Sequence, residues 1–200
     1  MKRGTYRARA VVLNSIDYGE SDRILTFYTL EKGKLSGIAK GARRSRKRFV
    51  GNLDPLSHIN IIYFHNDKSD LVRIEDASLI DAFSILKTDI ERLTDGCYLL
   101  ELTSELTREG QPLPAAYHSL VAFLKLLEAG AGDEALRFFE IKLLDQSGYL
   151  PHLTGCLSCR TTGEGERLYF SSAKGGLVCR ACSSGITGLI PVSPATAALL

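Results

Sequence analysis

Four of the five cysteines stand in two short motifs, CLSC (Cys156, Cys159) and CRAC (Cys179, Cys182), with 19 residues between them. A two-residue gap lets both thiolates of a pair turn toward one ion, and two such knuckles at this separation complete a tetrahedral sulfur shell, the pattern of a Zn2+ site. Four thiolates leave no position open for water, so the expected zinc is structural and does no chemistry. A redox dithiol is the rival reading, but redox motifs rarely come as a spaced pair. Disulfides are not expected, because nothing at Met1-Lys2-Arg3 resembles an export signal and thiols in the cytosol stay reduced. His152 lies close by, but the shell is already full.

The second group is AKGARRSRKRF (39–49), in which Lys40, Arg43, Arg44, Arg46, Lys47 and Arg48 crowd nine positions without an acid between them. Net charge over the chain is only +2, yet residues 1–50 hold 13 Lys and Arg against four acids. A basic amino-terminal part joined to an acidic remainder points to a polyanion that meets the first part alone. Arg23 and Lys34 add to this set. Tyr28, Tyr63 and Phe64 are candidate stacking platforms for bases, although each suits a core position better. Gly41 and Gly51 flank the run and would let it swing, so the loop is expected to be flexible alone and ordered by an anion.

Catalytic patterns are missing by comparison. GxSxG, Walker, HExxH and GxGxxG motifs do not occur, Asp17, Glu20 and Asp22 read as a polar turn, and His58, His65 and His118 have no nucleophile beside them. The sequence argues for a binding protein and not an enzyme. No run of 18 apolar residues occurs, so a cytoplasmic protein with no membrane span is expected.

These groups need a frame. The runs YRARAVVLN (6–14), RILTFYTL (23–30), KLSGIAKG (34–41), HINIIYFH (58–65) and LVRIEDASLI (71–80) predict five strands separated by turn residues. So many short strands favour a closed OB-type barrel over 1–80, with an SH3-like barrel as second choice. After Ala82 the period becomes helical. Leu86, Ile90, Leu93, Cys97 and Leu100 predict one apolar face, with Cys97 as a small buried hydrophobe; Tyr117, Leu120, Leu124 and Leu127 predict a second, and Leu136, Phe139 and Leu143 a third, ending near Ser147 with Gly148 as cap. The reading is therefore an α+β multidomain chain. An OB-type barrel (1–80) precedes a helical domain (81–150), an inserted four-cysteine ribbon (151–186) contains a hairpin of 167–172 and 175–179, and 187–200 begins a C-terminal helix that packs on the helical domain and is cut short. Ser193 would be its N-cap and Pro194 its first residue.

Barrel, basic loop, bundle and ribbon occur in an order that resembles the bacterial RecO family of recombination mediators. The match is carried by VVLNSIDYGESDRILTFYTLEKGKLSGIAKGARRS (11–45), LLDQSGYLPHLTGC (143–156) and the two knuckles. The resemblance implies binding of single- and double-stranded DNA, annealing of complementary strands, and loading of the RecA recombinase onto DNA coated by single-strand binding protein. It also implies RecR and the acidic tail of single-strand binding protein as partners and a place at the nucleoid. For that tail, Lys125, Arg137 and Lys142 are the basic candidates in the helical part. An RNA- or ribosome-binding protein with a barrel and ribbon is the alternative function.

Overall fold

The first strand, β1 (Gly4–Tyr18), is apolar on both faces through its middle, and this sets the architecture. Ala8, Ala10 and Val12 point into a barrel, while Val11 and Leu13 point away from it into a second core beneath helices. The computed structural model describes residues 2–45, 47–49, 51–162, 167–193 and 196. Two compact units divide them, Met1–Gly148 and Tyr149–Leu200.

In the first unit β1 is followed by β2 (Asp22–Thr29), β3 (Gly33–Ala39), β4 (His58–His65) and β5 (Val72–Asp81), closed in the order β1-β2-β3-β5-β4. All pairings are antiparallel except the β3–β5 seam, where only Gly37↔Val72 and Ile38↔Arg73 pair. This is a five-stranded barrel of the OB type, closed by a short seam. Gly37 permits the closure: a Cβ there would stand 2.8 Å from Ile74 Cδ1 and 3.0 Å from Val72 Cγ2. β1 runs four residues past the expected end, so the polar turn shrinks to Gly19, Glu20 and Ser21. Asp17↔Arg23 and Tyr18↔Asp22 still pair within the resulting hairpin.

Three helices, α1 (Ile90–Leu106), α2 (Pro114–Glu128) and α3 (Asp133–Gln146), pack on the outside of β1 and β2. Asp89 caps α1 by accepting from the Glu91 and Arg92 N–H groups. α2 and α3 bury the residues their periodicity predicts, and α3 ends at Ser147 with Gly148 at φ +76°. The phase of α1 differs from expectation. Its buried residues are Gly96, Leu99, Leu100 and Thr103, whereas Ile90 and Cys97 are exposed. The helix lies so close to the β3–β4 loop that a Cβ on Gly96 would come within 3.0 Å of Leu56 Cδ2, and this contact turns Cys97 outward. Cys97 is therefore not a core residue.

Polar contacts pin barrel to helices as well. Lys34 Nζ donates to Ser104 O (2.7 Å), Ser36 Oγ to Glu109 Oε1 (2.8 Å), and His58 Nε2 lies 2.7 Å from the Tyr117 hydroxyl in the buried β4–α2 contact. Burial holds His58 below the usual histidine range, and its Nδ1 has no partner.

In the second unit β6 (Leu168–Ser171) is the middle strand, flanked by β7 (Gly176–Cys179) and β8 (Leu189–Val192). The hairpin β6–β7 falls where the sequence places it. β8 was not expected: 187–192 reads as the approach to a helix, but Leu189 and Val192 pack in the ribbon core and add a third strand. Of the helix expected after Ser193, the Ser193 Oγ accepts the Thr196 N–H (3.0 Å); Pro194 and 197–200 lie outside the described residues.

The buried His58 gives an acid sensitivity with a definite sign. Above about pH 6.5 the ring is neutral in folded and unfolded chains alike; below it the unfolded chain binds a proton that the folded chain resists. Stability is thus full above that pH and falls as acid carries the solution down toward the lowered value. His58→Gln should flatten the fall of the thermal midpoint between pH 7 and 5, followed by circular dichroism, and an unchanged slope would contradict the assignment.

Candidate functional site

The basic run emerges from β3 and folds back against the β1–β2 hairpin. Asp22 starts this: its carboxylate accepts the Gly41 N–H (2.8 Å) and the Ser21 hydroxyl (3.0 Å), and the Gly41 bond holds its pKa below the usual carboxylate range. Gly41 is left-handed at φ +67°, and a short 3-10 turn (Ala42–Arg44) follows, with the Arg43 N–H on Ser21 O (3.0 Å). Beyond it Phe49 is buried in the barrel core with Ala42 and Leu53, and the Ala77 N–H bonds Arg48 O (3.3 Å). Apolar side chains at both ends thus anchor the loop. Burying a ring such as Phe49 contributes about 1.5–3 kcal/mol, a cost that opposes the swing expected at Gly41 and Gly51.

The cations stand close together but are not without partners. Arg43 Nε lies 3.4 Å from Asp17 Oδ2, Arg44 lies 3.3 Å from Glu20, and Arg23 bridges Asp17 (3.2 Å) and Asp54 (2.8 Å). Sequence separation hid this pairing: the acids come from the hairpin about 25 residues upstream and from Asp54 downstream. Arg48 lies over the Phe49 ring (5.0 Å) and donates to Lys40 O. Lys40 and Lys47 are exposed, and Arg46 lies outside the described residues.

Other candidates lie elsewhere. Lys34 is at the far end of β3 from Lys40, six residues or about 20 Å along the strand, with its ammonium on Ser104 O. Tyr28 and Tyr63 are fully buried, and burial pushes both hydroxyls up to about 12, so neither is a stacking platform. Phe64 is half-buried on the outer face of β4, with the guanidinium groups of Arg3 (5.8 Å) and Arg73 (5.3 Å) over its ring. An exposed aromatic that the sequence reading missed is Tyr18, at the hairpin tip. Its signal was position, beside a polar turn that follows a strand. In the helical part Arg137 is tied to Glu140, which also accepts the Tyr98 hydroxyl (2.6 Å), whereas Lys125 and Lys142 are exposed.

The ribbon brings all four predicted thiols together. Their Sγ atoms lie within 4.8 Å of one another, and Cys159 and Cys179 are 3.7 Å apart. A tetrahedron with sulfur arms of about 2.3 Å has edges of about 3.8 Å, so the cluster is compatible with one structural zinc. The first knuckle is set by Cys156 N–H on Thr161 O (2.8 Å) and Arg160 N–H on Cys156 O (2.9 Å), with Arg160 left-handed at φ +65°. Burial raises the Cys156 thiol, but N–H groups of Cys159, Cys179 and Ser158 outweigh it and bring the pKa to about 6, which favours the thiolate. His152 is not in the cluster; it bridges to Gly176.

Together these features define an OB-barrel protein with clustered arginines on one loop, a helical bundle on its flank and a four-cysteine ribbon. The family model for the amino-terminal domain of recombination protein O matches residues 1–83, and that for its carboxy-terminal domain matches 87–200. The chain belongs to the RecO family and has a role in DNA repair and recombination. It is 38% identical over 192 residues to the DNA repair protein RecO of Anaeromyxobacter sp. (strain K), covering 95% of this chain and 75% of that one. It is 40% identical over 178 residues to that of Syntrophotalea carbinolica (88% and 69%) and 36% identical over 178 residues to that of Myxococcus xanthus (88% and 72%). Among the described residues no helix is long and apolar enough to cross a membrane.

If the thiols hold a metal, protein purified without chelators should carry one zinc per chain by elemental analysis. Cys179→Ser should lose it and expose the ribbon to protease, while the thermal transition of the barrel and bundle is retained. A metal-free wild type, or a titratable disulfide in its place, would refute the assignment.

Proposed function

We propose that this chain is a recombination mediator that binds single- and double-stranded DNA without sequence preference. It anneals complementary strands and assists RecA loading on DNA coated by single-strand binding protein. The observation that carries this reading is the loop of Lys40, Arg43, Arg44, Lys47 and Arg48, held against a rigid barrel by the Phe49 anchor. Five cations on one anchored loop meet a phosphate backbone whatever its sequence, as an annealer requires. The family membership supports the same role, with RecR and the tail of single-strand binding protein as partners, zinc as the ribbon's ion, and a cytoplasmic site at the nucleoid.

The tail would lie along the helical part. α3 exposes Phe138 and Ile141, three residues apart and so on one face, with Lys142 beside them and Lys125 and Leu126 exposed on α2. An apolar strip with nearby ammonium groups suits an acidic peptide that ends in apolar residues.

Each phosphate contact to a single strand adds roughly 0.7 to the slope of log affinity against log salt. Replacing Arg43, Arg44 and Lys47 together by Ala should lower that slope by about 2 for oligo-dT and for mixed sequence alike. An unaltered slope would place the DNA elsewhere.

The hairpin acids oppose binding, because Asp17 and Glu20 occupy the guanidinium groups that phosphates would take. Exposed ion pairs are worth at most about 1 kcal/mol each, so DNA displaces them readily. Asp17→Asn with Glu20→Gln should tighten oligo-dT binding several-fold at low salt, with the gain shrinking as salt rises. Equal or weaker binding by the double variant would mean that these carboxylates do not compete with DNA.

A further inference from the structure

The basic run holds one hydroxyl. Ser45 stands between Arg43-Arg44 and Arg46-Lys47-Arg48, and no other serine or threonine of the chain has two cations immediately before it and three immediately after. Its backbone is extended (φ −75°, ψ 123°), because the short turn of Ala42–Arg44 ends at the residue before it. That turn is closed by long bonds, Arg44 N–H to Gly41 O (3.2 Å) and Ser45 N–H to Ala42 O (3.3 Å), the poorer geometry of a 3-10 turn, and it opens at small cost. The Ser45 side chain is half-buried, and its Oγ accepts the Arg48 N–H (3.1 Å).

The resting structure already holds anionic oxygens on this loop. Asp17 lies on Arg43 and Glu20 on Arg44, both as exposed pairs that a stronger anion displaces. A phosphate on Ser45 would be that anion, fixed in place. It brings a charge of about −1.5 to −2 and three strong acceptor oxygens at pH 7. One oxygen takes over the bond from the Arg48 N–H, and the Arg44 and Arg48 guanidinium groups stand one and three residues away. Flanking arginines also decide which enzyme would deliver it. A kinase whose peptide groove is acidic takes up such a segment by charge complementarity, and the extended backbone at Ser45 suits a groove.

Resting on the DNA-binding reading above, we propose that Ser45 accepts a phosphoryl group from an arginine-directed serine kinase, and that the bound phosphate answers the loop's cations so that DNA no longer does. In the transfer Oγ attacks the γ-phosphorus of ATP. The Oγ–P bond forms, the bond from that phosphorus to the β–γ bridging oxygen breaks, ADP leaves with the electron pair, and the hydroxyl proton passes to the kinase's base. Two cations answered from within remove two DNA phosphate contacts, each worth roughly 0.7 in the salt slope, so the slope falls by about 1.4.

The test uses the full chain, a purified arginine-directed serine kinase with magnesium ATP, and labelled oligo-dT across a salt series. One phosphate per chain should enter at Ser45, located by peptide mass, and none should enter at that position in Ser45→Ala. The phosphorylated chain should bind oligo-dT about tenfold more weakly at low salt, with the slope lowered by about 1.4, and a phosphatase should restore both. Ser45→Ala loses only the bond from the Arg48 N–H and should bind as the unmodified chain does, whereas Ser45→Glu, with one negative charge, should lower the slope by about 0.7. A chain that takes no phosphate at Ser45 would overturn the proposal, and so would a phosphorylated chain that keeps the unmodified affinity and slope. An unmodified chain that binds no oligo-dT would instead sink the DNA-binding reading, and the mass measurement would still decide whether Ser45 is the acceptor.

Discussion

The two-sided burial of β1 is the constraint on which the rest depends. Ala8, Ala10 and Val12 close the barrel from within while Val11 and Leu13 seat the helices from without, so neither core can form in another register. A slip of one residue would exchange the two sets and empty both cores. The closing seam adds a second condition, because Gly37 lets Ile74 and Val72 approach to where a Cβ would crowd both. With register fixed in this way, the hairpin tip, the end of β3 and the start of the basic loop come to one end of the barrel.

Electrostatics at that end is a balance rather than a plain excess of charge. Asp22 shapes the loop by accepting the Gly41 N–H, whereas Asp17, Glu20 and Asp54 face arginine guanidinium groups at salt-bridge distance. The free protein therefore keeps its cations in order without tying them up, since exposed pairs are weak and salt-sensitive. Such an arrangement suits the mediator role proposed above, which calls for taking up any strand and letting it go. The ribbon meets a different problem: a unit this small has a core of only a few apolar residues, and its four thiols stand close enough to share one structural ion.

Much of this was legible in the sequence wherever a signal is local. Two-residue spacing put the four thiols together, β-prone runs broken by turn residues gave the five barrel strands, and the 3.6-residue period gave the buried faces of α2 and α3. What escaped reading depends on contacts between distant segments. The approach of Gly96 to Leu56 rotates α1 and exposes Cys97, and β8 exists because β6 offers a free edge, whereas the burial of Tyr28 and Tyr63 follows the core reading that the sequence favoured. The pairing of Arg43 and Arg44 with hairpin acids was hidden for the same reason. Composition showed a basic run, but only the fold could show how much of its charge is already answered.

The central claim is that the end of the barrel that carries the basic loop meets DNA. Amide hydrogen exchange of the whole chain, free and saturated with oligo-dT, tests it most directly. The account predicts that slowed exchange concentrates in the hairpin around Tyr18 and the loop from Lys40 to Phe49, with α2, α3 and the ribbon unchanged. Protection centred on the ribbon or the bundle, with the barrel loop unaffected, would contradict it.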